Sequence, residues 1–468
     1  MSDITELSIA ELAQGYRDKS FSPVDAARAY FARIAQHNDK VNAFVTLCEG
    51  DALAEAKQAE TEIAAGQWRG PMHGIPIGHK DLYQTAGVRS TAGSRVLENH
   101  VPDSDATGVA RLKQAGAVML GKLNTHEFAY GPTNDSSMFG PCRNPWDPTR
   151  FSGGSSGGSG AAVALRLCAG ATGSDTGGSI RMPSACCGIT GLKPTYGRTS
   201  RAGIYPLCWT MDHSGPMTRS AEDAALMFQP MPGPDGRDAA VADRAVPDYA
   251  AALDGDIKGL RIGVPTHYFF DRAIPEIAEA AQNAIAVLEG LGAEVREVDI
   301  AYIDHAAAAA LVLYLSEGTA YHDDHIATIG ELYTDQVRLF LEIGNYVLAK
   351  DYLHAQRYRT LLGHAMADVL AEVDVLATPS LPITAQPLGQ EEIDIRGETD
   401  LVFGAILRNT EPFDLTGLPA LVVPCGIASD GMPMSLQIAG RPFDEAGVLK
   451  IGHAFQQASD WHTRRPPD

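Results

Sequence analysis

No apolar run in this sequence is long enough to cross a bilayer. The longest candidates are AAVAL, broken by Arg166, and the alanine-rich AAAAALVLYL after His305; both fall well short of the roughly 20 residues a spanning helix needs. The opening stretch MSDITELSIAELAQ has neither a basic n-region nor an apolar h-region and does not read as a signal peptide. Basic side chains are scarce, 37 against 58 acidic, giving a net charge of −21. Such a surface repels phosphate backbones and anionic lipid, so neither nucleic acid nor a membrane is expected as a partner. Cysteine is sparse and scattered: Cys48, Cys142, Cys168, Cys186, Cys187, Cys208 and Cys425. An odd count in a long chain reads as reduced thiols in the cytoplasm. The adjacent Cys186 and Cys187 lack C-x-x-C spacing and read as packing rather than zinc. A cysteine–histidine protease is the minor reading that the count leaves open.

Several motifs are also missing. There is no Gly-Lys-Ser/Thr to cradle phosphates and no G-x-G-x-x-G after a strand. His126 and Glu127 are adjacent, so they form no H-E-x-x-H zinc helix and read as structural hydrogen-bonding groups. No metal and no cofactor is implied.

What is present is an ordinary globular composition, 45% apolar and 20% charged, over 468 residues. The length prior is about two to three domains. Residues 1–70 read as helical. Ser22-Pro23-Val24-Asp25 offers an N-cap, a first-turn proline and a first-turn acid. A second helix, DALAEAKQAETEIAAG, should end at Gly66. Gly74–Gly78 reads as a short apolar strand running into His79, Lys80 and Asp81, followed by a helix over 105–114 and a strand over 117–122. The stretch AAVALRLCAGA reads as a buried helix, and the segment after Met182 as turns. Residues 230–250 read as an exposed connection. KGLRIGVP, Pro275–Leu291 and AEVREVDI alternate strand, helix, strand; 303–372 reads as helical. VDVLATPS, PFDLTGLPALVVPCG and PMSLQIAG supply the last strands before a closing helix. Strands scattered between helices along the whole chain argue for an α/β fold. The expectation is a single large domain, 1–468, with a central mixed, twisted sheet surrounded by helices.

The chemistry centres on Phe151–Met182, where two glycine-serine turns, GGSSGGSG and TGGS, flank the apolar stretch. Composition alone reads the first as a flexible linker, yet a buried segment and the second turn follow at once. It also satisfies G-x-S-x-G through Ser155 and through Ser156, a weak match in a glycine-serine run. Glycine lets the chain turn tightly and lets a substrate approach the main chain. A serine between glycines can therefore present its hydroxyl beside free N–H groups, as a nucleophile with an oxyanion hole requires. No histidine sits in either turn to act as base. Lys80, ending a buried strand, reads either as a snorkelling surface residue or as a functional base. Its neighbour His79 alternates to the opposite face and reads as packing.

The ordered set GIPIGHKDLYQTAG, HEFAYG, GGSSGGSG, GSDTGGSIRMPSACCGITGLKPTYGR, DHSGPMTRS and TGLPALVVPCG resembles the amidase signature family of serine hydrolases. The spacing fits as well, with 75 positions from Lys80 to Ser155 and 24 from there to Ser179. The resemblance implies a Ser–cisSer–Lys triad. Ser179 falls on the nucleophile, Ser155 on the bridging serine after a cis peptide, and Lys80 on the base. It places the backbone N–H groups of Thr176, Gly177, Gly178 and Ser179 at the oxyanion. Asp175, Arg181 and Ser156 read as support for the turns. Family analogy sets Tyr130, Gly131, Thr133, Trp209 and Met211 near the substrate, with a signature core over about 70–220 and a variable pocket region over about 303–372. The expected activity is hydrolysis of C–N bonds in small amides, whether carboxamides, anilides or carbamates, with esters as side substrates and an acyl-enzyme on Ser179. The alternatives are a glutamine-hydrolysing subunit of a tRNA-modifying amidotransferase and a biuret- or urea-type hydrolase. A homodimer is the family-level expectation. A non-catalytic binding protein on the same fold would be expected to have lost Lys80, Ser155 or Ser179, all of which are present.

Overall fold

The computed structural model describes residues 3–467. Thirteen strands are present among them: β1 (Phe44–Leu47), β2 (Pro76–Lys80), β3 (Val118–Leu123), β4 (Gly170–Asp175), β5 (Thr190–Lys193), β6 (His213–Thr218), β7 (Arg261–Pro265), β8 (Glu294–Val298), β9 (Val375–Pro379), β10 (Glu392–Ile395), β11 (Glu398–Leu401), β12 (Ala420–Ile427) and β13 (Pro433–Gly440). Eleven of these form one sheet in the order β1-β3-β2-β4-β6-β5-β12-β13-β9-β7-β8, and β10 and β11 make a separate hairpin. The sheet is mixed. β3, β2 and β4 run parallel, as do β9, β7 and β8, and the strands between them alternate. Helices cover both faces, so central strands need no polar side. The run ALVVPC in β12 is buried throughout, as expected of a strand with packing on each face.

Local signals explain much of the helical layer. Ser22 and Asp25 form a reciprocal capping box around Pro23, starting the helix Pro23–Val41, which ends at Asn42 in the left-handed region (φ 55°). Such a cap is worth ~1 kcal/mol. The helix Glu49–Ala64 packs against it and lies over β3. Three helices, Ala306–Ile329, Asp335–Gly344 and Ala349–Glu372, form a bundle in the 303–372 region. Its core joins Phe128, Tyr130, Leu313, Leu341 and Phe413. Residues 230–250 form no helix or strand beyond an isolated pairing of Pro232 with Thr199. No helix among the described residues is long and apolar enough to cross a membrane.

Four local readings change. The 1–70 region is not wholly helical, because Phe44–Leu47 adds an edge strand antiparallel to β3. The helix expected over AAVALRLCAGA instead begins inside the glycine-serine run, spans Gly157–Ala164 and stops before Arg166, whose φ is 57°. GATGSD is then a strand, β4. Its small residues conceal it from a reading based on β-branched side chains, but the sheet leaves room for nothing larger. A Cβ on Gly173 would lie 2.7 Å from the Met217 sulfur. The segment after Met182 is not only turns; it contains the helix Arg181–Cys187 and strands β5 and β6. PFDL closes a short helix, Glu411–Leu415, and the strand begins only at Ala420. Every residue from 151 to 195 is buried, which rules out a linker role for GGSSGGSG.

Candidate active site

Two adjacent parallel strands set the geometry. β2 pairs with β4 in the register Ile77↔Gly170, Gly78↔Ala171, His79↔Thr172. The chain therefore delivers Lys80 at the end of one strand and the turn 176–179 just beyond the other. Lys80 is fully buried, and its Nζ donates to Ser155 Oγ at 2.7 Å and to Ser174 Oγ at 2.8 Å. No carboxylate pairs with it among the described residues, whereas Lys122, buried on the neighbouring strand β3, has Asp81 at 3.8 Å. Burial pushes the Lys80 ammonium down to about 7, with Asp175 and Asp212 opposing at longer range. Desolvation disfavours the charged form, and the two hydroxyl acceptors offset it only in part, with no carboxylate in contact. His79 points away as expected. It stacks on Tyr83, shares a 3.3 Å contact with Thr172 Oγ1, and burial lowers it to about 3.

The Gly154–Ser155 peptide is cis. The Ser155 carbonyl accepts from the His126 N–H at 3.0 Å, and Gly154 N–H donates to the Pro132 carbonyl at 2.6 Å. His126 Nδ1 accepts from the Asn134 N–H, and Asn134 Oδ1 accepts from Gly157 N–H at 2.9 Å. The HEFAYG loop thus holds the first serine turn from behind, in the structural role read for His126. The neighbouring Glu127 is likewise tied, to Ser94 and Thr334. Ser156 links the two turns: its N–H donates to the Ser179 carbonyl and its Oγ to the Ser174 carbonyl, both at 3.3 Å.

The second turn is fixed by Asp175. Its Oδ1 accepts from Gly178 N–H at 2.7 Å, and its Oδ2 accepts from Ile180 N–H at 3.0 Å and Arg181 N–H at 3.2 Å. Arg181 closes the arrangement, pairing with Asp175 at 3.0 Å and with Asp414, and donating to the Thr410 carbonyl and Gln437. Burial by itself would raise the Asp175 carboxyl, but the Arg181 guanidinium holds it well below the usual carboxylate range. This corrects one expectation. The Gly178 N–H is spent on Asp175, which leaves the amides of Thr176, Gly177 and Ser179 without an acceptor among the described residues. Gly178 itself is required by its conformation, with φ at 132° and a Cβ that would meet Thr410 Oγ1 at 2.3 Å. The Ser179 hydroxyl forms no hydrogen bond among the described residues, and Ser179 lines a cavity.

That cavity is bounded by Tyr130, Gly131, Thr176, Gly177 and Met182 on the sheet side. Leu311, Tyr314, Leu315 and Phe340 from the helical bundle complete it, with Phe403 and Leu407. No charged side chain lines it. Of the five expected pocket residues the structure brings two, Tyr130 and Gly131, to the wall. Trp209 is 43% exposed and lines the adjoining cavity, with Thr176, Asp212 and His213. Met211 is fully buried in the core, and the Thr133 hydroxyl turns back to Asp135 at 2.6 Å. Sequence reasoning missed Ser174, Thr410, Asp212 and Tyr314. Ser174 was within reach, because Thr172 and Ser174 share one face of β4 once GATGSD is read as a strand. Asp212 accepts from Thr176 Oγ1 at 2.7 Å and is pushed up to about 6 by burial. No group of His, Cys, Asp and Glu side chains among the described residues is arranged to hold a metal ion.

Two serine turns around a buried, unpaired lysine define a class of hydrolase, and the chain belongs to it: the Amidase family model matches residues 25–449, and the chain is a member of the amidase signature family. It is an amidase-family hydrolase acting on carbon–nitrogen bonds. It is similar to an amidase of Pseudomonas putida, 43% identical and covering 100% of this chain and 99% of that protein. It is also similar to a glutamyl-tRNA(Gln) amidotransferase subunit from a Roseiflexus strain, 42% identical over 100% of this chain and 99% of that protein. Among solved structures it resembles a bacterial aryl acylamidase of the amidase signature family, with TM-score 0.89, 27% identity, and 98% and 99% of the two chains covered.

Proposed function

We propose that the chain is a free-standing hydrolase of small amides with an apolar acyl group, working through an acyl-enzyme on Ser179. Neutral Lys80 accepts a proton from Ser155, which takes one from Ser179 as the Ser179 oxygen attacks the carbonyl. A lysine serves as base only when its environment lowers its pKa. The free amides of Thr176, Gly177 and Ser179 hold the developing oxyanion, where each donor is worth ~2.7–4 kcal/mol. The proton returns through Ser155 to the leaving nitrogen, and water then releases the acyl group. Asp175, Arg181 and Ser156 position the turns without touching substrate. The helices of the 303–372 region supply specificity, since Leu311, Tyr314, Leu315 and Phe340 line the cavity.

The observation that carries the substrate class is the uncharged lining of that cavity. Free glutamine brings an ammonium and a carboxylate, and burying either unpaired is costly. The second reading, part of an amidotransferase assembly, draws support from the 42% identity to the Roseiflexus protein. A release assay on the purified chain without partners separates the two. We expect amine release from a chromogenic anilide or an aryl carbamate, absent in Ser179→Ala, and none from glutamine. Ammonia from glutamine with silence on the anilide and carbamate would overturn the proposal.

A further inference from the structure

The two cavities that meet at the nucleophile turn differ greatly in size. They share Ala129, Thr176 and Leu207, so one substrate can enter both. The cavity that Ser179 lines encloses about 50 Å³. The adjoining one encloses about 230 Å³. An apolar protein cavity of ~150 Å³ holds one benzene molecule, so a ring fits the second and not the first. Two side chains set the narrow width. A Cβ on Gly177 would lie 2.3 Å from the Tyr314 hydroxyl and 3.3 Å from Leu407 Cδ2. The phenol is held in place, donating to Glu411 Oε1 at 3.2 Å. The wide cavity lies on the side from which the proton returns. Lys80 Nζ donates to both Ser155 Oγ and Ser174 Oγ, and Ser174 lines the wide cavity. A leaving nitrogen that takes its proton through Ser155 therefore points there. The charged groups of that cavity are already engaged. Arg201 pairs with Asp238 at 2.7 Å, and Arg237 donates to the Asp105 carbonyl at 3.1 Å. Asp212 accepts from Thr176 Oγ1 at 2.7 Å and from the Leu207 N–H at 3.1 Å. What the cavity offers is the half-exposed side chain of Trp209, whose carbonyl is fixed by Tyr196 Oη at 2.9 Å.

We propose that the enzyme divides its substrate unequally, with a short, ring-free acyl group beside Leu407 and an amine carrying a ring beside Trp209. The inference rests on the acyl-enzyme reading of Ser179 and narrows the substrate class. Leu407 sets the acyl limit, because an acyl group on Ser179 must pass between it and Gly177. A ring attached to the carbonyl would have to displace Leu407 or Tyr314. Forcing atoms into filled space costs roughly ten- to hundredfold in rate. On the other side the ring of the amine has room and an indole to pack on.

The test begins with kcat/KM at pH 7 for acetyl, butanoyl and benzoyl 4-nitroanilide. Each value is divided by that anilide's alkaline hydrolysis rate, which removes intrinsic reactivity. In the wild type benzoyl should fall at least about tenfold below acetyl. Leu407→Ala should recover most of that loss. It keeps the main-chain carbonyl that accepts from Thr410 N–H at 3.0 Å and Oγ1 at 2.9 Å. The amine side is read by competition against acetyl 4-nitroanilide turnover. N-benzylacetamide should compete more tightly than N-butylacetamide, and Trp209→Ala should cut that advantage about tenfold. A wild type that handles benzoyl as well as acetyl overturns the acyl limit and leaves the Ser179 mechanism standing; this result does not depend on whether the variant folds. An unchanged benzoyl-to-acetyl ratio in folded Leu407→Ala overturns the role of Leu407. A benzyl advantage that is absent in the wild type, or survives Trp209→Ala, overturns the amine assignment. Failure of the wild type to cleave any of the three anilides overturns the amidase reading itself, and this inference with it.

Discussion

Replacing Lys80 by Met should destroy activity and stabilise the protein, and the size of the second effect should depend on pH. In the fold Lys80 is held near 7, against an ordinary value of 10.5, because burial disfavours its charge. The difference is about 3.5 units, which is roughly 5 kcal/mol at about 1.4 kcal/mol per unit. A group whose folded value is depressed in this direction binds fewer protons in the native state between the two values, so stability rises with pH there. The cost is full below about pH 7 and is relieved as pH climbs towards 10.5. Met removes the charge but leaves the Ser155 and Ser174 hydroxyls without their donor, returning ~1 kcal/mol for each lost hydrogen bond. The net gain at pH 6 is then a few kcal/mol, and at pH 9 most of it should be gone. The assay is the thermal midpoint of both proteins at pH 6 and pH 9, run beside anilide turnover from pH 5 to 9. Wild-type kcat/KM should fall about tenfold per unit on the acid side, with a midpoint near 7. A Met variant no more stable than wild type at pH 6, or an activity profile flat from pH 5 to 7, would refute the reasoning.

Four further outcomes follow from the same geometry. Ser179→Ala should lose turnover of every amide, and Ser155→Ala somewhat less completely, read as initial rates and as loss of acyl-enzyme by intact mass. Ser174→Ala removes one acceptor from the Lys80 ammonium, whose charge-assisted bonds favour the protonated form, so the acid limb of the rate profile should move down by about one unit. Asp175→Asn leaves Arg181 with one buried carboxylate partner fewer and weakens the grip on the turn; a loss of ~3–5 kcal/mol is expected, seen as a lower melting midpoint. Gly177→Ala would set a methyl 2.3 Å from the Tyr314 hydroxyl, so kcat should drop at least tenfold while the melting midpoint moves little.

The site was legible in the sequence where residue type and order carry the chemistry. Lys80, Ser155 and Ser179 could be named because the ordered set of motifs resembles the amidase signature family; residue type alone left Lys80 open between a surface residue and a base. The sheet was legible wherever β-branched residues mark strands, as in KGLRIGVP and LPALVVPCG. It was hidden at GATGSD, where tight packing against Met217 and Met227 demands small side chains and erases the usual signal. Spatial detail beyond the motifs was not legible. That Asp175 consumes the Gly178 N–H depends on a side-chain rotamer, and no spacing rule encodes it. The cavity wall is contributed by helices more than a hundred residues downstream, so Tyr314 and Phe340 could not be told from ordinary core positions. Trp209 and Met211 are near the signature segment in sequence, but the turn that carries them faces a neighbouring cavity and the core.

A run of glycine and serine is ordinarily where a protease cuts first and where amide hydrogens exchange fastest, because nothing holds it. Here the same composition is sealed between helix and sheet, with every residue from 151 to 195 out of solvent. Apart from the amides of 176, 177 and 179 at the cavity, its amides are reached through openings that disassemble the centre of the sheet. Nicking should therefore spare this segment and begin at exposed stretches such as 234–248. Chains clipped there should keep their catalytic turns until the whole sheet gives way, so inactivation and global unfolding become one event.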